Sequence, residues 1–460
     1  MSDTKQKVTI VGAGLAGALL SVYFAKRGID VDMYERRPDM RKAEAGAGKS
    51  INLALSTRGI HALKEVGLYD EIKKISIPMY GRKLHAPDGT LTFQRYGKDD
   101  SEYINAVSRA ELNKSLMDLA EENPGVKIRF NSRCTGIDFS KPEVYFHDDA
   151  SSESFSVKSD TVISTDGATS AVRMEMMKFP RFNFSQLYEN YGYKELTIPA
   201  GKNGEFQMEK NALHIWPRGN FMLIALPNLD GSFTCTLFLP YDKELGGENS
   251  LELLESRDNL KSFFSNHFHD ALELMPDLEE QYFSHPTGTL MTVKCFPWTT
   301  GDRVTLLGDS CHAIVPFFGQ GMNAAFEDCT YLNEMIGKYG DDWGKVFREY
   351  EKIRKPDTDA IADLAQENFV EMRDLVATPK FQFKKKIEAE LHKLFPSRFV
   401  PKYSMVTFSR IPYSVAHHRG KLQEEILDIL SHGIDALKDV NWQEAEELIT
   451  SRLEPIGELE

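Results

Sequence analysis

The N-terminal stretch KVTIVGAGLAG places a fixed pattern of glycines directly after a short apolar run. Residues 7–11 are rich in β-branched side chains and show no polar alternation, as expected for a buried parallel strand. The next stretch, ALLSVYFAKRG, has the apolar spacing of a helix that ends at Gly28, and IDVDMYE follows as a second strand. This order predicts a βαβ unit at the start of the chain.

The glycines of this turn, Gly12, Gly14 and Gly17, form the pattern GxGxxG. Glycines at these positions permit a tight turn, the approach of a pyrophosphate and close packing of helix on strand. Glu35 ends the second strand, 18 residues after Gly17. A carboxylate there accepts hydrogen bonds from ribose hydroxyls and repels a 2′-phosphate. The pattern therefore predicts a site for FAD or NAD rather than for NADP.

A second glycine-rich segment, GDSCHAIVPFFGQGMNAAFED at residues 308–328, follows the apolar run RVTLL. Asp309 stands at the predicted strand end, where its carboxylate can accept hydrogen bonds from ribitol hydroxyls. The N–H groups of Gly321, Met322 and Asn323 open a helix, whose positive end would stabilise negative charge on a reduced flavin. Because the sequence has no second GxGxxG, the two segments together favour FAD over NAD.

Composition and charge exclude several classes of protein. A net charge of −14 disfavours a nucleic-acid partner. The 5 cysteines are scattered, without a CxxC pattern, which fits reduced thiols better than disulfides or a metal site. No apolar stretch approaches the roughly 18 residues that cross a bilayer, and the start lacks the features of a signal peptide. We expect a cytoplasmic protein that holds no metal and does not bind a membrane.

The pattern changes between residues 180 and 298, where stretches rich in Tyr, Phe, Thr and Val alternate with Pro, Gly, Asn and Asp turns. Helical periodicity dominates after residue 322. The sequence therefore predicts an α/β protein with a Rossmann-like FAD-binding domain, an inserted, mostly antiparallel β-sheet substrate domain and a C-terminal helical region. The predicted boundaries are 1–179 and 299–365 for the two parts of the FAD-binding domain, 180–298 for the substrate domain and 366–460 for the helical region.

The stretch LQEEILDILSHGIDALKDV in the C-terminal region has strong helical spacing. On a continuous helix, one face would carry its large aliphatic side chains. These are Leu422, Ile426, Ile429, Leu430, Ile434 and Leu437.

Three segments together resemble the FAD-dependent aromatic monooxygenases of the hydroxybenzoate hydroxylase plan. They are GAGLAG with Glu35, DGATSAVR at residues 166–173, and GDSCHAIVPFFGQGMN. Further stretches, extending to about residue 420, are more specific and resemble the kynurenine 3-monooxygenase family. They include KSINLALSTRGIHAL, MYGRKLH, GYKELTIP, NALHIWPR, ENFVEM and PKYSMVTFSR.

The resemblance implies hydroxylation of L-kynurenine to 3-hydroxy-L-kynurenine, with NADPH and O₂, in tryptophan degradation. FAD would be tightly bound and NADPH a transient co-substrate. The reaction would pass through a flavin C4a-hydroperoxide, and because the flavin performs the chemistry, no side chain is assigned as catalytic. The resemblance also adds FAD contacts to those expected from the glycine segments. These are Leu15, Ala16, Arg36, Arg37, Arg109, Asp166 and Pro316.

Kynurenine carries a zwitterionic amino-acid group, so its carboxylate needs a cation. Arg82 is the best candidate, since a guanidinium can bind a carboxylate through two hydrogen bonds. By resemblance, Tyr96, Asn368 and Tyr403 complete this group as neutral partners. The candidates for a dry pocket around the substrate ring, each of which could instead be ordinary core, are Leu213, Met222, Ile224, Phe238, Phe317, Phe318 and Gln320.

Two alternatives remain open from the sequence. The first is a related flavin hydroxylase that acts on a phenol, and the second is a flavin-binding protein without turnover.

The adjacent Cys311 and His312 do not indicate a nucleophile, because neighbours in sequence point in different directions and no third group orients them. The family's eukaryotic members end in a membrane segment, so the chain resembles the soluble bacterial type. The oligomeric state stays open, with a homodimer as one hypothesis.

Overall fold

The computed structural model describes residues 7–42, 52–376 and 378–457; the part of KSINLALSTRGIHAL before Asn52 lies outside them. The strands are β1 (Lys7–Val11), β2 (Asp30–Tyr34), β3 (Asn52–Leu55), β4 (Ser76–Met79), β5 (Gly81–His85), β6 (Leu91–Arg95), β7 (Ile104–Ser108), β8 (Val126–Arg129), β9 (Ser132–Asp138), β10 (Glu143–Asp148), β11 (Ser154–Lys158), β12 (Thr161–Ser164), β13 (Asn183–Ile198), β14 (Ala212–Pro217), β15 (Met222–Pro227), β16 (Phe233–Pro240), β17 (Gly288–Phe296), β18 (Thr299–Thr300) and β19 (Val304–Leu306).

The α-helices are α1 (Leu15–Lys26), α2 (Thr57–Val66), α3 (Tyr69–Lys74), α4 (Arg109–Glu121), α5 (Ala171–Met176), α6 (Lys243–Gly246), α7 (Arg257–His267), α8 (His269–Leu272), α9 (Leu278–Ser284), α10 (Asp309–His312), α11 (Gly321–Tyr339), α12 (Trp343–Val370), α13 (Pro379–Leu394), α14 (Lys402–Thr407), α15 (Tyr413–Leu430) and α16 (Trp442–Arg452). Short 3₁₀ helices lie at Lys202–Gly204, Leu251–Leu253, Pro316–Phe318 and Leu437–Asp439, and a π-helical turn lies at Glu371–Leu375.

The chain folds into two compact units. The first contains the described residues up to Ser76, then Val107–Leu187 and Met291–Ala362. The second contains Ile77–Ala106, Tyr188–Leu290 and the described residues from Asp363 onward. Residues 77–106 thus belong to the second unit, whereas the sequence-based division had placed them in the FAD-binding domain. The four predicted domain boundaries stay a prediction.

The first unit is built around a six-stranded sheet with the order β18-β19-β12-β1-β2-β8. β1 lies between β12 and β2 and runs parallel to both, as the predicted βαβ unit requires. β18, at the edge, is antiparallel to β19. The apolar side chains of β1 are almost fully buried together with those of α1, in one core that also includes α4 and α11. A separate three-stranded antiparallel sheet contains β9, β10 and β11.

The second unit is built around a seven-stranded sheet with the order β17-β13-β16-β15-β14-β5-β6. The pairs β13–β16, β15–β16, β14–β15 and β5–β6 are antiparallel, which confirms the predicted antiparallel sheet. β5 pairs with β14 in parallel and comes from a part of the chain where the sequence analysis assigned no strand. One face of this sheet packs on α7, α8 and α9 through a core rich in Phe and Leu.

The C-terminal helices α13, α15 and α16 share their own apolar core. The expectation of one continuous helix face is wrong in this region, because α15 ends at Leu430 and the chain turns at Gly433, whose φ is +72°. Ile429 is 40% exposed, while Ile434 and Leu437 pack partly on the core from beyond the helix end. A glycine with positive φ ends a helix more strongly than apolar spacing continues it.

Three further features concern the described residues as a whole. None of their helices combines the length and the apolar character needed to cross a membrane. They contain no group of three or more His, Cys, Asp or Glu side chains arranged to hold a metal ion. The cysteines are unpaired, and Cys134 alone of these free thiols is not fully buried.

Candidate functional site

The turn between β1 and α1 leaves open space at the helix N-terminus. Gly12 has a φ of +102°, and a Cβ there would come 2.6 Å from the carbonyl oxygen of Thr165. A Cβ at Gly17 would come 2.0 Å from the carbonyl oxygen of Gly12, so α1 packs directly on the strand end. At Gly14, no atom of the described residues lies within 4 Å of an added Cβ. The N–H groups of the first helical turn are therefore accessible to a pyrophosphate.

Glu35 places an ionised carboxylate beside this turn. It is 6% exposed. Its Oε2 accepts the N–H of Ala13 at 2.9 Å, and its Oε1 accepts the backbone N–H and the Nε–H of Arg37 at 3.0 Å and 2.8 Å. Burial alone would raise the pKa of Glu35, but the hydrogen bond and charge of Arg37 outweigh burial and lower it. The carboxylate keeps lone pairs that can accept ribose hydroxyls.

Gly308 and Asp309 lie where β19 leads into α10. Gly308 has a φ of +67°, and a Cβ there would come 3.3 Å from Ala325 and 3.5 Å from Ala16, so this loop passes close to α11 and α1. The backbone N–H of Gly308 donates to Oδ2 of Asp328 at 3.2 Å. Asp309 is the first residue of α10, and it is exposed. Its carboxylate is thus presented at a strand end, as a ribitol-binding acid requires.

The first turn of α11 provides free N–H groups in the segment predicted to face a flavin ring. Residues 321–323 form this turn, so their N–H groups have no acceptor within the helix. The 3₁₀ helix Pro316–Phe318 precedes it, and the chain reverses at Gly319, whose φ is +67°. Pro316 is exposed. The positive end of a 19-residue helix therefore opens next to an exposed proline ring.

Asn323 fixes this turn through its side chain. Its amide donates to the carbonyl oxygens of Ala54 and Gly319 at 2.8 Å and 2.9 Å, and its Oδ1 accepts the backbone N–H of Ser56 at 2.9 Å. The amide of Gln320 donates to the Ser56 hydroxyl at 3.2 Å. Both side chains therefore tie the start of α11 to the connection between β3 and α2. The substrate contact predicted for Gln320 stays a prediction.

A cluster of buried charges holds the helices around the Asp309 loop. Arg354, on α12, is fully buried and donates to Oδ1 of Asp328 at 2.7 Å and to Oε2 of Glu327 at 2.8 Å. Arg58 lies 3.0 Å from Glu327, and His312 contacts Asp328 at 2.5 Å. Burial alone would raise the pKa of Asp328, but the charges of His312 and Arg354 outweigh burial and lower it. The cluster ties α2, α10, α11 and α12 together.

Asp166 shapes the turn between β12 and α5. Its Oδ1 accepts the hydroxyl of Ser164 at 2.5 Å, and its Oδ2 accepts the N–H of Ala171 at 2.8 Å. Burial raises the pKa of this carboxyl. Arg173, at the other end of the same motif, donates to the carbonyl oxygen of Ser310 at 2.7 Å and so links this turn to α10. The FAD contact predicted for Asp166 stays a prediction.

The other predicted FAD contacts lie on several elements of the first unit. Leu15 and Ala16 are partly buried in the first turn of α1. Arg36, Arg37 and Arg109 are exposed, and Arg109 begins α4. The open space at Gly14, the ionised carboxylate of Glu35 and the exposed Asp309 fit the pyrophosphate, ribose and ribitol of FAD. The individual contacts of the remaining positions stay predictions.

In the second unit, five of the predicted substrate residues lie on one face of the seven-stranded sheet. The register pairs Arg82 with Leu213, and it pairs Met222 with Phe238. Ile224 faces Ile215, two residues after Leu213. Since side chains alternate between the faces of a strand, Arg82, Leu213, Met222, Ile224 and Phe238 share a face. This face is opposite to the one that packs on α7, α8 and α9.

Arg82 is a buried cation with an unused donor. It is 8% exposed, and its Nε–H has no hydrogen-bond partner among the described residues. Its guanidinium lies 5.0 Å from the ring centre of Tyr403 and 5.7 Å from that of Tyr96. These two rings are stacked, with centres 5.3 Å apart and planes at 10°. A buried donor without a partner is unfavourable, so this geometry suits an acceptor supplied by a ligand.

A carboxylate also lies beside this cation. Nη1 of Arg82 lies 3.7 Å from Oε1 of Glu371, in the π-helical turn after α12. Asn368, one turn earlier and 4% exposed, has its amide 3.3 Å from the sulfur of Met372. Burial raises the pKa of Tyr403, so its phenol stays protonated and neutral. The structure thus brings Arg82, Tyr96 and Tyr403 together and adds a carboxylate, while the substrate contact predicted for Asn368 stays a prediction.

The predicted pocket residues from the flavin segment lie in the first unit. Phe317 and Phe318 are each 6% exposed, and Gln320 is 2% exposed. Their contact with a substrate stays a prediction.

A family model described as an FAD binding domain matches residues 5–218 and 262–365. A kynurenine 3-monooxygenase of Myxococcus xanthus is 52% identical over 451 residues, covering 98% of this chain and 96% of that protein. Proteins of the same name from Flavobacterium johnsoniae and Dictyostelium discoideum are 47% and 43% identical, covering 93% and 97% of this chain and 94% and 97% of theirs. The chain belongs to the kynurenine 3-monooxygenase family. This confirms the predicted family, FAD as the cofactor and the class of flavoprotein monooxygenase.

Solved structures of more distant flavin enzymes share the fold of this family member. A 2-methyl-3-hydroxypyridine-5-carboxylic acid oxygenase is 19% identical with a TM-score of 0.63, covering 83% of this chain and 96% of that one. A p-nitrophenol 4-monooxygenase from Pseudomonas putida is 18% identical with a TM-score of 0.62, covering 92% and 97%. At this level of identity the likeness confirms the predicted fold class.

Several residues that build the site had no role assigned from the sequence. Arg58, Glu327 and Arg354 are charged residues on α2, α11 and α12, and no local pattern indicates that they are buried together. Glu327 and Asp328 end the glycine-rich segment and were available in the quoted motif, but without a role. Glu371 lies within the stretch ENFVEM and gave no signal of its own beyond its charge.

Proposed function

We propose that the chain hydroxylates L-kynurenine to 3-hydroxy-L-kynurenine, with NADPH and O₂ as co-substrates. The observation that carries the proposal is the buried Arg82, whose Nε–H lacks a partner and which lies beside both neutral phenols and a carboxylate. Bound FAD supplies the activation of O₂ and the transfer of one oxygen atom. The side chains of this chain bind the substrate, orient its ring and keep water away.

Arg82 binds the substrate carboxylate. Its Nε–H, which has no acceptor among the described residues, donates a charge-assisted hydrogen bond to that carboxylate. The stacked phenols of Tyr96 and Tyr403 lie beside the guanidinium and do not compensate its charge, since burial keeps them neutral; Glu371, at 3.7 Å, is the carboxylate beside it. An anionic group is therefore preferred here over a neutral one.

Glu371 binds the substrate ammonium group. Its side chain is 18% exposed and lies 3.7 Å from Arg82, so a group that carries both charges can meet both partners within one small volume. A carboxylate and an ammonium separated by a single carbon have this spacing. The pair selects an amino acid over a simple acid and over a simple phenol.

The aromatic ring of the substrate packs on the apolar side chains that share the sheet face with Arg82. Met222 and Phe238 are buried side by side on adjacent strands, and Leu213 pairs with Arg82 itself. Apolar side chains at these positions exclude water, which protects a reactive oxygen donor from hydrolysis. The phenolic alternative lacks the charged group that would satisfy Arg82.

The test uses the purified yellow holoenzyme with three compounds. These are L-kynurenine, its analogue without the carboxylate and its analogue without the amino group. NADPH oxidation is followed by absorbance and 3-hydroxykynurenine by chromatography. We expect rapid, coupled turnover with L-kynurenine and a loss of at least about tenfold in kcat/KM for each analogue, because each loses one charge-assisted contact. Equal rates for all three would contradict the proposal, and NADPH-independent binding alone would favour a protein without turnover.

The proposal extends to a homodimer in the cytoplasm. Sedimentation velocity on the same preparation tests the assembly, and a species with the mass of one chain, 52.2 kDa, would contradict it. Fractionation of the source cells tests the location.

A further inference from the structure

A series of hydrogen-bonded side chains lies in the second unit, on the face of the seven-stranded sheet opposite to Arg82. Nδ1 of His85 is 2.7 Å from Oδ2 of Asp270, and Nε2 of His85 is 2.9 Å from Nδ1 of His214. Nε2 of His214 is 2.8 Å from the carbonyl oxygen of Glu209. The Nε1–H of Trp216 donates to both oxygens of Asp270 at 2.9–3.0 Å. Each heavy-atom distance is that of a good hydrogen bond.

The two ends of this series fix where its protons are. The carbonyl oxygen of Glu209 can only accept, so Nε2 of His214 carries a proton. Asp270 already accepts from Trp216, and its contact to His85 needs one proton. The contact between the two imidazoles needs another. Three contacts therefore need three protons, whereas two neutral imidazoles and a carboxylate have two. Asp270, His85 and His214 together hold one additional proton, and their net charge is zero.

The geometry places the additional proton on His85, because both oxygens of Asp270 accept from Trp216 and His214 already donates to the carbonyl oxygen of Glu209. Burial alone would raise the pKa of Asp270, but hydrogen bonds from His85 and Trp216 outweigh burial and lower it to about 2. Burial and the charge of His85 lower the pKa of His214 to about 4. His85 is then an imidazolium that donates from both nitrogens, and its ring stacks on Trp216 with centres 3.9 Å apart.

Other charged groups surround this series on every element packed against it. Lys83, on β5, pairs with Glu209 at 3.2 Å. Arg218, beyond the end of β14, donates to the carbonyl oxygens of His85 at 2.8 Å and of His267 at 2.7 Å. Lys83 and Glu209 compensate each other, and Arg218 is held by carbonyl dipoles. Asp270 is therefore the carboxylate that directly balances the charge of His85.

This series of hydrogen bonds holds β5, the strand that contains Arg82, in place. β5 has 5 residues, and its pairing with β14 runs from Gly81 to Leu84. His85 ends the strand, and it connects β5 to β14 through His214 and to α8 through Asp270. Arg82 and His85 point to opposite faces, so this series acts on the position of Arg82 through the backbone of β5.

We propose that His85, His214 and Asp270 are positioning residues that share one buried proton, and that this proton keeps β5 in the place where Arg82 binds the substrate. The proposal rests on the proposed function for its kinetic consequence, but the proton itself does not depend on it. Loss of the proton leaves two imidazole acceptors, or an imidazole and a carboxylate, facing each other at under 3 Å. The end of β5 then moves away from β14.

Asp270→Asn provides a matched variant, because it removes the need for the proton and keeps a partner for both imidazoles and for Trp216. The second contact from Trp216, at the position of Oδ2, is lost. The asparagine oxygen accepts from Trp216, and its amide donates to Nδ1 of a neutral His85. Nε2–H of His85 then donates to His214, and His214 donates to Glu209 as before. His85→Gln, by contrast, shortens the series and breaks at least one contact. His269→Gln, at an exposed neighbour of Asp270 on α8, is the control.

The first measurement is ¹⁵N NMR of histidine-labelled holoenzyme at pH 7.5. We expect the two nitrogens of one histidine, assigned by its loss in His85→Gln, to have the shifts of an imidazolium, and Asp270→Asn to convert it to a neutral ring with its proton on Nε2. A neutral His85 in the unsubstituted protein would overturn the proposal, whether or not kynurenine is the substrate.

The second measurement is the KM for L-kynurenine against pH. We expect KM to rise at least about fivefold above the pH at which the imidazolium signal disappears, with kcat unchanged, and to stay flat in Asp270→Asn. His85→Gln should raise KM at every pH, and His269→Gln should match the unsubstituted enzyme. An imidazolium signal whose loss leaves KM unchanged would overturn the positioning role, while absence of any turnover with kynurenine would instead contradict the proposed function.

Discussion

Replacement of Arg82 by methionine tests the substrate site most directly. Methionine has a long, unbranched apolar side chain, so it fills much of the space that Arg82 occupies beside the rings of Tyr96 and Tyr403 but offers no donor. The variant removes the unpartnered Nε–H and the positive charge beside Glu371. Nothing on the apolar face of Met222 and Phe238 changes. The substitution therefore separates recognition of the carboxylate from recognition of the ring.

The size of the effect follows from the one hydrogen bond that the structure reserves for a ligand. A charge-assisted hydrogen bond contributes about 1.5–3 kcal/mol, which corresponds to roughly 10- to 150-fold in affinity. The carboxylate does not react, so Arg82 contacts it equally in the ground state and the transition state. We therefore expect KM to rise by this factor and kcat to change little.

The same substitution has an opposite effect on the free protein. An unsatisfied buried donor destabilises the folded state by about 1–3 kcal/mol. Methionine removes this cost, which offsets the loss of the contact to Glu371 and of the packing on Tyr403. We expect the Tm of substrate-free Arg82→Met to be no lower than that of the unsubstituted protein.

The assay measures KM and kcat from coupled NADPH oxidation and Kd from the change in flavin absorbance on titration with L-kynurenine. Arg95→Met is the matched control, because Arg95 lies on the adjacent strand β6 with its side chain 49% exposed. The analogue without a carboxylate should have the same kcat/KM in both variants. An unchanged KM in Arg82→Met, or an equal loss with that analogue, would refute the assignment.

Three further predictions concern the cofactor site and stability. Glu35→Ala should raise the Kd of FAD about tenfold, measured by flavin fluorescence, and full retention of FAD would contradict the ribose contact. Asp328→Asn leaves Arg354 underpaired in the core and should lower the free energy of unfolding in urea by about 3–5 kcal/mol; a change below about 1 kcal/mol would contradict this. Because burial lowers the pKa of His214 from 6.5 to about 4, unfolded chains bind more protons in that range. The free energy of unfolding should therefore fall by up to about 3 kcal/mol as pH falls from 6.5 to 4, and His214→Gln should lack this part.

The glycine turn of the first unit and the two carboxylates near its strand ends could be predicted from the sequence, because each depends on a short stretch of residues. Gly12, Gly14 and Gly17 have three different physical roles within one turn, and each role follows from the position of the glycine relative to the strand and the helix. The position of Glu35 could be predicted because one helix and one strand of ordinary length separate it from the glycines. The position of Asp309 could be predicted because it directly follows an apolar strand.

The buried charges of the first unit could not be predicted in the same way. Arg354 and Arg58 lie on helices more than 290 residues apart in sequence, and each is buried because Glu327 and Asp328 lie between them. A local pattern assigns a charged residue to the surface by default, since burial of an unpaired charge is costly. Only the three-dimensional pairing reverses that expectation.

The strand that carries Arg82 was missed for a related reason. The sequence GRKLH has two adjacent cations and no apolar alternation, so it does not predict a strand. It becomes one because β14, about 130 residues later, offers an unpaired edge in parallel register. The position of His85 against His214 depends on that pairing, and no local signal indicates it.

Glu367 and Glu371, near the end of α12 and at the start of the π-helical turn, have different partners. Glu367 and Glu371 are four residues apart, and on a regular helix they would share a face. Glu367 instead pairs with His417 at 2.9 Å and with Lys402 at 3.5 Å, while Glu371 lies next to Arg82. Because the two acids lie one helical turn apart, their spacing alone could not have separated them. Their partners on other elements decide which acid lies beside Arg82.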